Sequence, residues 1–161
     1  MDAYSALLRA HEPAARRLAR VLCGDDGDDA AQEAFVKGWS ALPGFRGDAS
    51  FRSWLLRIVA NEAHNRRRST GRRAARELRL AETGAEASAE TTALLGEQRQ
   101  RLLGAVNALP DKLRDAVACR HLLELSEAET AVVLGVPVGT VKSRISRGLD
   151  RLRAALEVDR A

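Results

Sequence analysis

Cysteine and histidine are scarce in this chain of 161 residues, which contains two cysteines and three histidines. Cys23 and Cys119 stand far apart, and neither belongs to a CxxC pair or to a Cys/His cluster with metal-ligand spacing. Zinc centres that can be recognised from sequence show several such side chains in a short, regular pattern. Gly-rich phosphate loops and HExxH motifs are also missing, so we expect no metal, no cofactor, no catalytic residues and no enzymatic activity.

Long apolar runs are absent as well. No stretch approaches the about 20 apolar residues that span a bilayer. The N-terminal sequence MDAYSALLRAHEPAARR has an acid at its second position and lacks the uncharged apolar core of a signal peptide. With 45% hydrophobic and 30% charged residues, the composition is that of a soluble globular protein. We expect a cytoplasmic protein that does not insert into a membrane.

The net charge of +4 is distributed unevenly along the chain. Residues 1–79 and 98–161 are basic, whereas residues 80–97 contain four glutamates and neither lysine nor arginine. Two basic blocks joined by an acidic segment indicate two contacts with a polyanion and a linker that avoids one. We therefore divide the chain into a domain at residues 1–75, a flexible linker at 76–97 and a second domain at 98–161.

Apolar residues recur at helical spacing in both blocks, which predicts an all-α protein made of two helical domains. In the first block, helices are expected at residues 4–23 and 29–42 and after Asp48 or Ser50, either of which can cap the third helix. Pro13 predicts a kink or a break in the first of these helices. In the second block, Pro110 separates two further helices before Ser126.

The segment SEAETAVVLGVPVGTVKSRISRGLDRLR, residues 126–153, has the pattern of a helix-turn-helix. Ser126 and Glu129 form a capping-box start for a short helix. The sequence Gly-Val-Pro at 135–137 then ends that helix, because glycine permits the turn and proline cannot continue the first helix. The second helix, from about residue 138, has one apolar row and an opposite row of basic and hydroxyl residues, as in DNA-reading helices. The alternative is a solvated helix that closes an ordinary bundle.

Arginines are concentrated at residues 66–79, a segment that contains seven arginines and only one acid, Glu77. Cations suit the C-terminus of a helix, so the run could be a solvated helix end. So dense a run beside a folded unit is better explained as a surface that binds phosphates.

The sequence VPVGTVKSRISR closely resembles the last helix-turn-helix of the extracytoplasmic-function (ECF) sigma factors, which are small bacterial transcription initiation factors. The segment LPDKLRDAV is similar to the start of the same region of these proteins. The resemblance implies that this unit reads the minus-thirty-five promoter element. The residues it assigns to that contact are Thr140, Lys142, Ser143, Arg144, Ser146 and Arg147.

In the first block, FRGDASFRSWLLRIVANEAHNRRR resembles the region of the same family that melts and reads the minus-ten element. The resemblance and the arginine run assign the following residues to that contact: Phe45, Arg46, Gly47, Asp48, Ser50, Asn61, Arg66 and Arg67. The segment DAAQEAFVKGWSAL is similar to the helix that grips the clamp coiled coil of RNA polymerase, which makes Asp29, Gln32 and Glu33 the expected polymerase contacts.

The resemblance implies an alternative sigma factor that binds core RNA polymerase, through its clamp coiled coil and its flap, and promoter DNA. An anti-sigma protein is a further expected partner. Two rival functions fit parts of the chain. A stand-alone helix-turn-helix regulator explains residues 126–153 but leaves residues 45–68 without a purpose, and a helical scaffold without a DNA role leaves the charge distribution unexplained.

Overall fold

The computed structural model describes residues 3–78 and 95–158. Seven α-helices run through these two ranges, with no strand between them, and the expectation of an all-α protein is confirmed. A π-helical turn, Ala118–Leu122, follows α5. The helices are α1 (Ala3–Cys23), α2 (Gly27–Ala41), α3 (Phe51–Leu78), α4 (Leu95–Ala108), α5 (Asp111–Val117), α6 (Glu127–Leu134) and α7 (Val138–Val158).

The linker predicted at residues 76–97 lies mostly outside the described residues. Its two ends lie inside them, and there residues 76–78 continue α3 while residues 95–97 begin α4. Within the described ranges, none of the helices combines the length and the apolar character that crossing a membrane requires.

Small residues let α1, α2 and α3 pack closely as a three-helix bundle. Ala30, Ala31 and Ala34 line the inner face of α2 and are fully buried. A Cβ added to Gly27 would lie 2.6 Å from the backbone of α1, so only glycine permits this approach. The N-terminus of α1 is fixed by Tyr4, whose Oη donates to the Phe35 carbonyl at 2.6 Å.

Pro13 lies inside α1 without ending it, so the break considered above does not occur. Pro13 and Arg9 are both exposed. The turn that lacks the Pro13 N–H therefore lies on the solvent side of α1, which reduces the cost of a proline within a helix.

The helix-turn-helix predicted from local signals is present. The Ser126 Oγ accepts from the Glu129 backbone N–H at 3.0 Å, and the Glu129 carboxylate accepts from the Ser126 N–H at 2.8 Å. Gly135 ends α6 in the left-handed conformation, with φ 64°, which side chains with a Cβ rarely adopt. Gly148 brings α7 against α5, because a Cβ there would lie 2.6 Å from the Val117 side chain.

The two halves of the chain share one hydrophobic core. Cys119, Leu123, Leu125 and Val133 from the second half belong to the same buried cluster as the inner faces of α1, α2 and α3. Polar contacts join the halves as well: Arg17 Nη1 to the Leu122 carbonyl (3.5 Å), Arg52 Nη2 to the Leu123 carbonyl (3.1 Å), His64 Nε2 to Asp115 Oδ2 (2.6 Å) and Arg67 Nη2 to Asp111 Oδ1 (3.3 Å).

Candidate nucleic-acid and polymerase interfaces

Helix α7, the second helix of the helix-turn-helix, presents one buried row and three polar rows. Val141 and Leu152 are buried where α7 packs on α5 and α6. Ser143 and Ser146 are exposed on the opposite side. The Ser143 Oγ donates to the Thr140 carbonyl at 3.0 Å, a local bond that leaves the hydroxyl at the surface. The predicted minus-thirty-five residues therefore surround the solvent side of one helix.

The two flanks of α7 differ in how their cations are held. On the flank next to α6, Lys142 Nζ lies 3.6 Å from the Glu127 carboxylate. On the flank next to α5, Thr140, Arg144 and Arg147 line a surface groove of about 610 Å³. Arg147 Nε donates to the Ser143 carbonyl at 3.3 Å, which directs its side chain back along the helix.

The loop between α2 and α3 contains most of the predicted minus-ten residues. Arg46, Gly47 and Asp48 are exposed, and Gly47 has φ 78°. Phe45 is different, because its ring packs 5.1 Å from Trp54 and 6.0 Å from Phe51, measured between centroids. Phe45 therefore anchors the loop to α3, so the freely accessible part of the loop is polar.

Ser50 has a structural role in addition to its predicted one. Its Oγ accepts from the Ser53 backbone N–H at 3.1 Å and so caps α3. Asn61 is exposed on α3. It lies 11 residues after Ser50, which is about 16 Å along the helix axis. That the loop and Asn61 act together on the minus-ten element stays a prediction.

Arg66 and the predicted polymerase contacts are paired with each other. The Arg66 guanidinium lies 3.0 Å from the Glu33 carboxylate and 3.8 Å from that of Asp29. The predicted phosphate-binding and polymerase-binding surfaces are thus adjacent on α2 and α3. Nothing in the sequence signals this pairing, because the partners are 33 or more positions apart.

Arg67 has a different set of partners. Its guanidinium donates to the Leu22 carbonyl at 3.0 Å and lies 3.3 Å from the Asp111 carboxylate on α5. The Arg114 hydrogen bond and the nearby Arg67 charge, acting against the effect of burial, leave the pKa of Asp111 below its ordinary value. Arg67 is thereby engaged in the contact between the two halves.

An apolar patch on α2, which sequence reasoning missed, lies beside the predicted polymerase contacts. Val36 and Trp39 remain 64% and 51% exposed. Together with Gln32, Phe35 and Leu8 they line a shallow groove of about 420 Å³. A sequence signal existed, since both large apolar residues lie outside the predicted inner row of this helix. Exposed apolar side chains at one place are typical of protein-binding surfaces.

Lys37 and Glu62 fix the same helix to α3. Glu62 is buried and its carboxylate lies 2.5 Å from the Lys37 ammonium. This hydrogen bond to Glu62 raises the pKa of Lys37 above its ordinary value.

Among the described residues, no group of three or more histidine, cysteine or acidic side chains is placed to hold a metal ion.

Comparison with protein families identifies both halves of this arrangement. Residues 7–73 match Sigma-70 region 2, and residues 99–152 match Sigma-70, region 4. The fold and these two regions define a transcription initiation factor of the sigma-70 class.

Individual relatives are more specific. The ECF RNA polymerase sigma-E factor of Escherichia coli strain K12 is 36% identical over 156 residues, which cover 91% of this chain and 82% of the relative. The protein of the same name from Haemophilus influenzae is 31% identical over 150 residues, which cover 87% and 79%. This chain belongs to the ECF sigma factor family, and the sequence-based expectation of a sigma factor that directs transcription initiation is confirmed.

Two solved structures share the fold over nearly the whole chain. The sigma factor RpoE from Bartonella quintana, in complex with the anti-sigma factor NepR, has a TM-score of 0.77 and 28% identity, covering 97% of this chain and 98% of that one. CnrH in complex with the cytosolic domain of CnrY has a TM-score of 0.72 and 30% identity, covering 97% and 88%.

Proposed function

We propose that this sigma factor reads the minus-thirty-five element with α7 and the minus-ten element with α3 and its preceding loop, while α2 binds core RNA polymerase. In this proposal residues 1–75 and 98–161 are the two functional domains. The observation that carries it is the geometry of α6 and α7. A capped helix, a left-handed glycine and a second helix that keeps Ser143, Ser146 and Arg147 outward make the arrangement that places a helix in the major groove.

The exposed surface of α2 supports polymerase binding. Asp29, Gln32 and Glu33 form an exposed polar row, and Val36 and Trp39 add apolar area directly beside it. A mixed surface of this kind suits a protein partner, because the apolar side chains supply affinity and the polar row supplies orientation. The same surface has little to offer DNA, since its carboxylates would repel phosphates.

In this structure the two halves of the chain pack against each other, an arrangement that we call closed. The closed arrangement does not allow both promoter elements to be read at the same time. α3 and α6 pack in a single core, whereas two elements about two helical turns apart need reading heads separated by about 70 Å. We therefore propose that the two halves separate when the protein enters the polymerase. Separation exposes Leu123 and Leu125, which are buried here, so the polymerase must provide contacts that replace those lost.

An anti-sigma protein is the second partner that we propose. Of the two similar solved structures, the sigma factor RpoE is in complex with the anti-sigma factor NepR, and CnrH is in complex with the cytosolic domain of CnrY. A partner that contacts both halves of this chain would favour the closed arrangement and keep the chain from the polymerase, because it binds one of two states selectively.

The decisive experiment is transcription by core RNA polymerase supplemented with this protein on a library of genomic fragments, with mapping of the start sites. We expect starts that depend on the protein and share two upstream elements about two helical turns apart. A protein that binds DNA but neither associates with core polymerase nor produces new starts would be a stand-alone regulator, and the proposal would be wrong.

Variants of α2 test the polymerase surface separately. Trp39→Ala and Val36→Glu should weaken association with core polymerase, because both side chains are more than half exposed and supply the apolar area of the proposed surface. Trp39 also packs edge-on against Tyr4, with ring centroids 5.4 Å apart, so circular dichroism must show that Trp39→Ala is folded. Ser40→Ala is the matched control, since Ser40 is exposed on the same helix and its hydroxyl bonds only to the Val36 carbonyl. Unchanged core binding in both test variants would move the polymerase surface elsewhere.

A further inference from the structure

The groove between α5 and α7 is lined with cations that come from two different helices. Its lining includes Lys112 of α5 and Arg144, Arg147 and Arg151 of α7, together with Pro110 and Leu113. Lys112 and Arg151 were not among the residues that sequence motifs assigned to DNA. They become neighbours of the recognition helix only because Gly148 lets α5 approach α7.

The spacing of the α7 residues places them in one row. Residues 140, 144, 147 and 151 follow each other at intervals of four, three and four, so they lie on the same face of a helix. The row is adjacent to the buried row that begins at Val141. It occupies the flank of the helix, whereas Ser143 and Ser146 occupy the outermost side. Arg147, four positions after Ser143, lies at the edge of the row nearest to that outermost side.

Three cations of this groove are not paired with a carboxylate of the described residues, whereas the cations on the opposite side of α7 are. Among the described residues, Lys112, Arg144 and Arg151 have no carboxylate partner. By contrast, Lys142 pairs with Glu127 at 3.6 Å and Arg153 pairs with Asp150 at 3.2 Å. Asp150 also borders the groove, but its pairing with Arg153 offsets its charge, so the groove remains strongly positive.

The dimensions of DNA assign a ligand to such a flank. The major groove is about 12 Å wide, and an α-helix with its side chains has a diameter of about 10–12 Å. A recognition helix therefore fills the groove, with its outermost row against the bases and its flanks against the two phosphate walls. A flank rich in unpaired cations faces a phosphodiester backbone.

We propose that the α5–α7 groove binds the phosphodiester backbone at one wall of the minus-thirty-five major groove, with Lys112, Arg144 and Arg151 as phosphate contacts. This inference rests on the proposed function of α7. It divides the residues of the helix by role, since Ser143 and Ser146 face the bases while Arg144 and Arg151 position the helix without reading sequence. Lys112 extends the contact to α5, which makes the angle between α5 and α7 part of the docking geometry.

The test is the salt dependence of DNA binding, measured by fluorescence anisotropy for Lys112→Ala and Arg151→Ala. Each lost phosphate contact reduces the slope of log affinity against log salt by about 0.9. A fourfold rise in salt then changes the ratio of wild-type to variant affinity by about 3.5-fold. The loss must be equal on a promoter duplex and on one with a scrambled minus-thirty-five element. Arg101→Ala is the control, because Arg101 has the same charge and is exposed on α4, outside the residues that line the groove.

Substitution by the other cation distinguishes anchoring from base reading. Arg151→Lys should retain the wild-type slope, since a phosphate accepts a point charge, whereas bidentate contact with a guanine needs the planar arginine. Both test residues are exposed, and a wild-type circular dichroism melt confirms folding. Unchanged slopes in Lys112→Ala and Arg151→Ala, or a loss confined to one base pair, would overturn the proposal.

The measurement has two arms, which separate this inference from the proposed function. The full-length chain alone on non-specific duplex DNA at low salt tests the groove as a phosphate site. The holoenzyme on promoter DNA tests the role of the groove in initiation. Normal slopes for the variants in both arms contradict the groove, whereas a wild-type holoenzyme that fails to recognise any promoter contradicts the proposed function.

Discussion

His64 of α3 and Asp115 of α5, 51 positions apart in the chain, lie with Nε2 and Oδ2 2.6 Å from each other. Asp115 is only 5% exposed, and its second carboxylate oxygen has no hydrogen-bond partner among the described residues. His64 is therefore the side chain that compensates a buried acid of the other half. Separation of the two halves must therefore break the hydrogen bond between His64 and Asp115.

His64→Ala should favour the open arrangement. An unpaired buried acceptor costs about 1–3 kcal/mol, and separation of the halves relieves that cost by returning Asp115 to water. Distances between spin labels in α2 and α7 should broaden and lengthen in the variant. Ser69→Ala, an exposed position on the same helix, is the control, and an unchanged narrow distribution in His64→Ala would show that the pair does not hold the halves together.

The reactivity of Cys119 should report the same opening. Burial raises the pKa of Cys119 to about 12, so at pH 7–8 the thiol is protonated, and only the thiolate reacts. Reactivity should therefore rise with pH as the pKa is approached. Cys23 is half-buried, and we expect iodoacetamide to label it first.

The His64→Ala variant tests whether labelling of Cys119 depends on opening, and Cys23 is the internal control. It should accelerate labelling of Cys119 and leave Cys23 unchanged, because Cys119 lies in the core shared by the two halves. Mass spectrometry of the two labelled peptides separates the rates. Equal rates for Cys119 and Cys23 in the wild type would contradict this account of the core.

Thr130→Val should stabilise the protein by about 1 kcal/mol, because the Thr130 hydroxyl is fully buried without a hydrogen-bond partner. Valine fills the same space without that polar group. Ser126→Ala in the same helix should have the opposite effect, a loss of about 1 kcal/mol, since it removes the N-cap. Urea unfolding measures both changes, and a destabilised Thr130→Val would show that the hydroxyl has a partner in solution.

Local signals were sufficient for much of the fold, whereas long-range pairing was not predictable. The Ser126 capping box and the turn at Gly135 depend on residues within a few positions of each other, and both are present. The pairing of Arg66 with Glu33 and the docking of His64 on Asp115 depend on how whole helices pack. A single sequence offers many acids to each arginine, so periodicity places these residues on faces but does not choose their partners.

The same limit applies to the predicted sites. Helical spacing placed the minus-thirty-five residues on the solvent side of α7, but it did not reveal that Lys112 of another helix lies beside them. The segment after α5 was predicted as plain helix. Its π-helical turn at Ala118–Leu122 and the positive φ of Glu124, 54°, redirect the chain towards α6, and neither leaves a recognisable signal in the sequence.

Arg147→Ala and Lys142→Ala should reduce minus-thirty-five recognition, because both side chains are exposed on the recognition helix. A lost base contact costs about 1–3 kcal/mol and relaxes the preference at one position. Binding of the holoenzyme to a set of single-base promoter variants measures this effect. Equal weakening on all sequences would make these residues phosphate contacts, like those proposed for the α5–α7 groove.

Asn61→Ala and substitutions at Arg46 and Asp48 should impair promoter opening more than polymerase binding. All three residues are exposed, and none of them supports the core. Opening a duplex without ATP requires that lost stacking is offset by contacts to the extruded bases. Ser50, at the end of the loop, and Asn61 lie about 16 Å apart along the helix axis, so we expect the loop and Asn61 to hold different nucleotides of one strand.

Permanganate footprinting of the variant holoenzymes tests this arrangement, because it detects unpaired thymines position by position. Asn61→Ala and the loop variants should lose reactivity at different thymines, and a combined variant should lose both. Ser69→Ala, further along α3 and exposed, should open the promoter normally. If Asn61→Ala and Asp48→Ala both leave the footprint of the native promoter intact while core binding is unchanged, α3 and its loop do not read the minus-ten element.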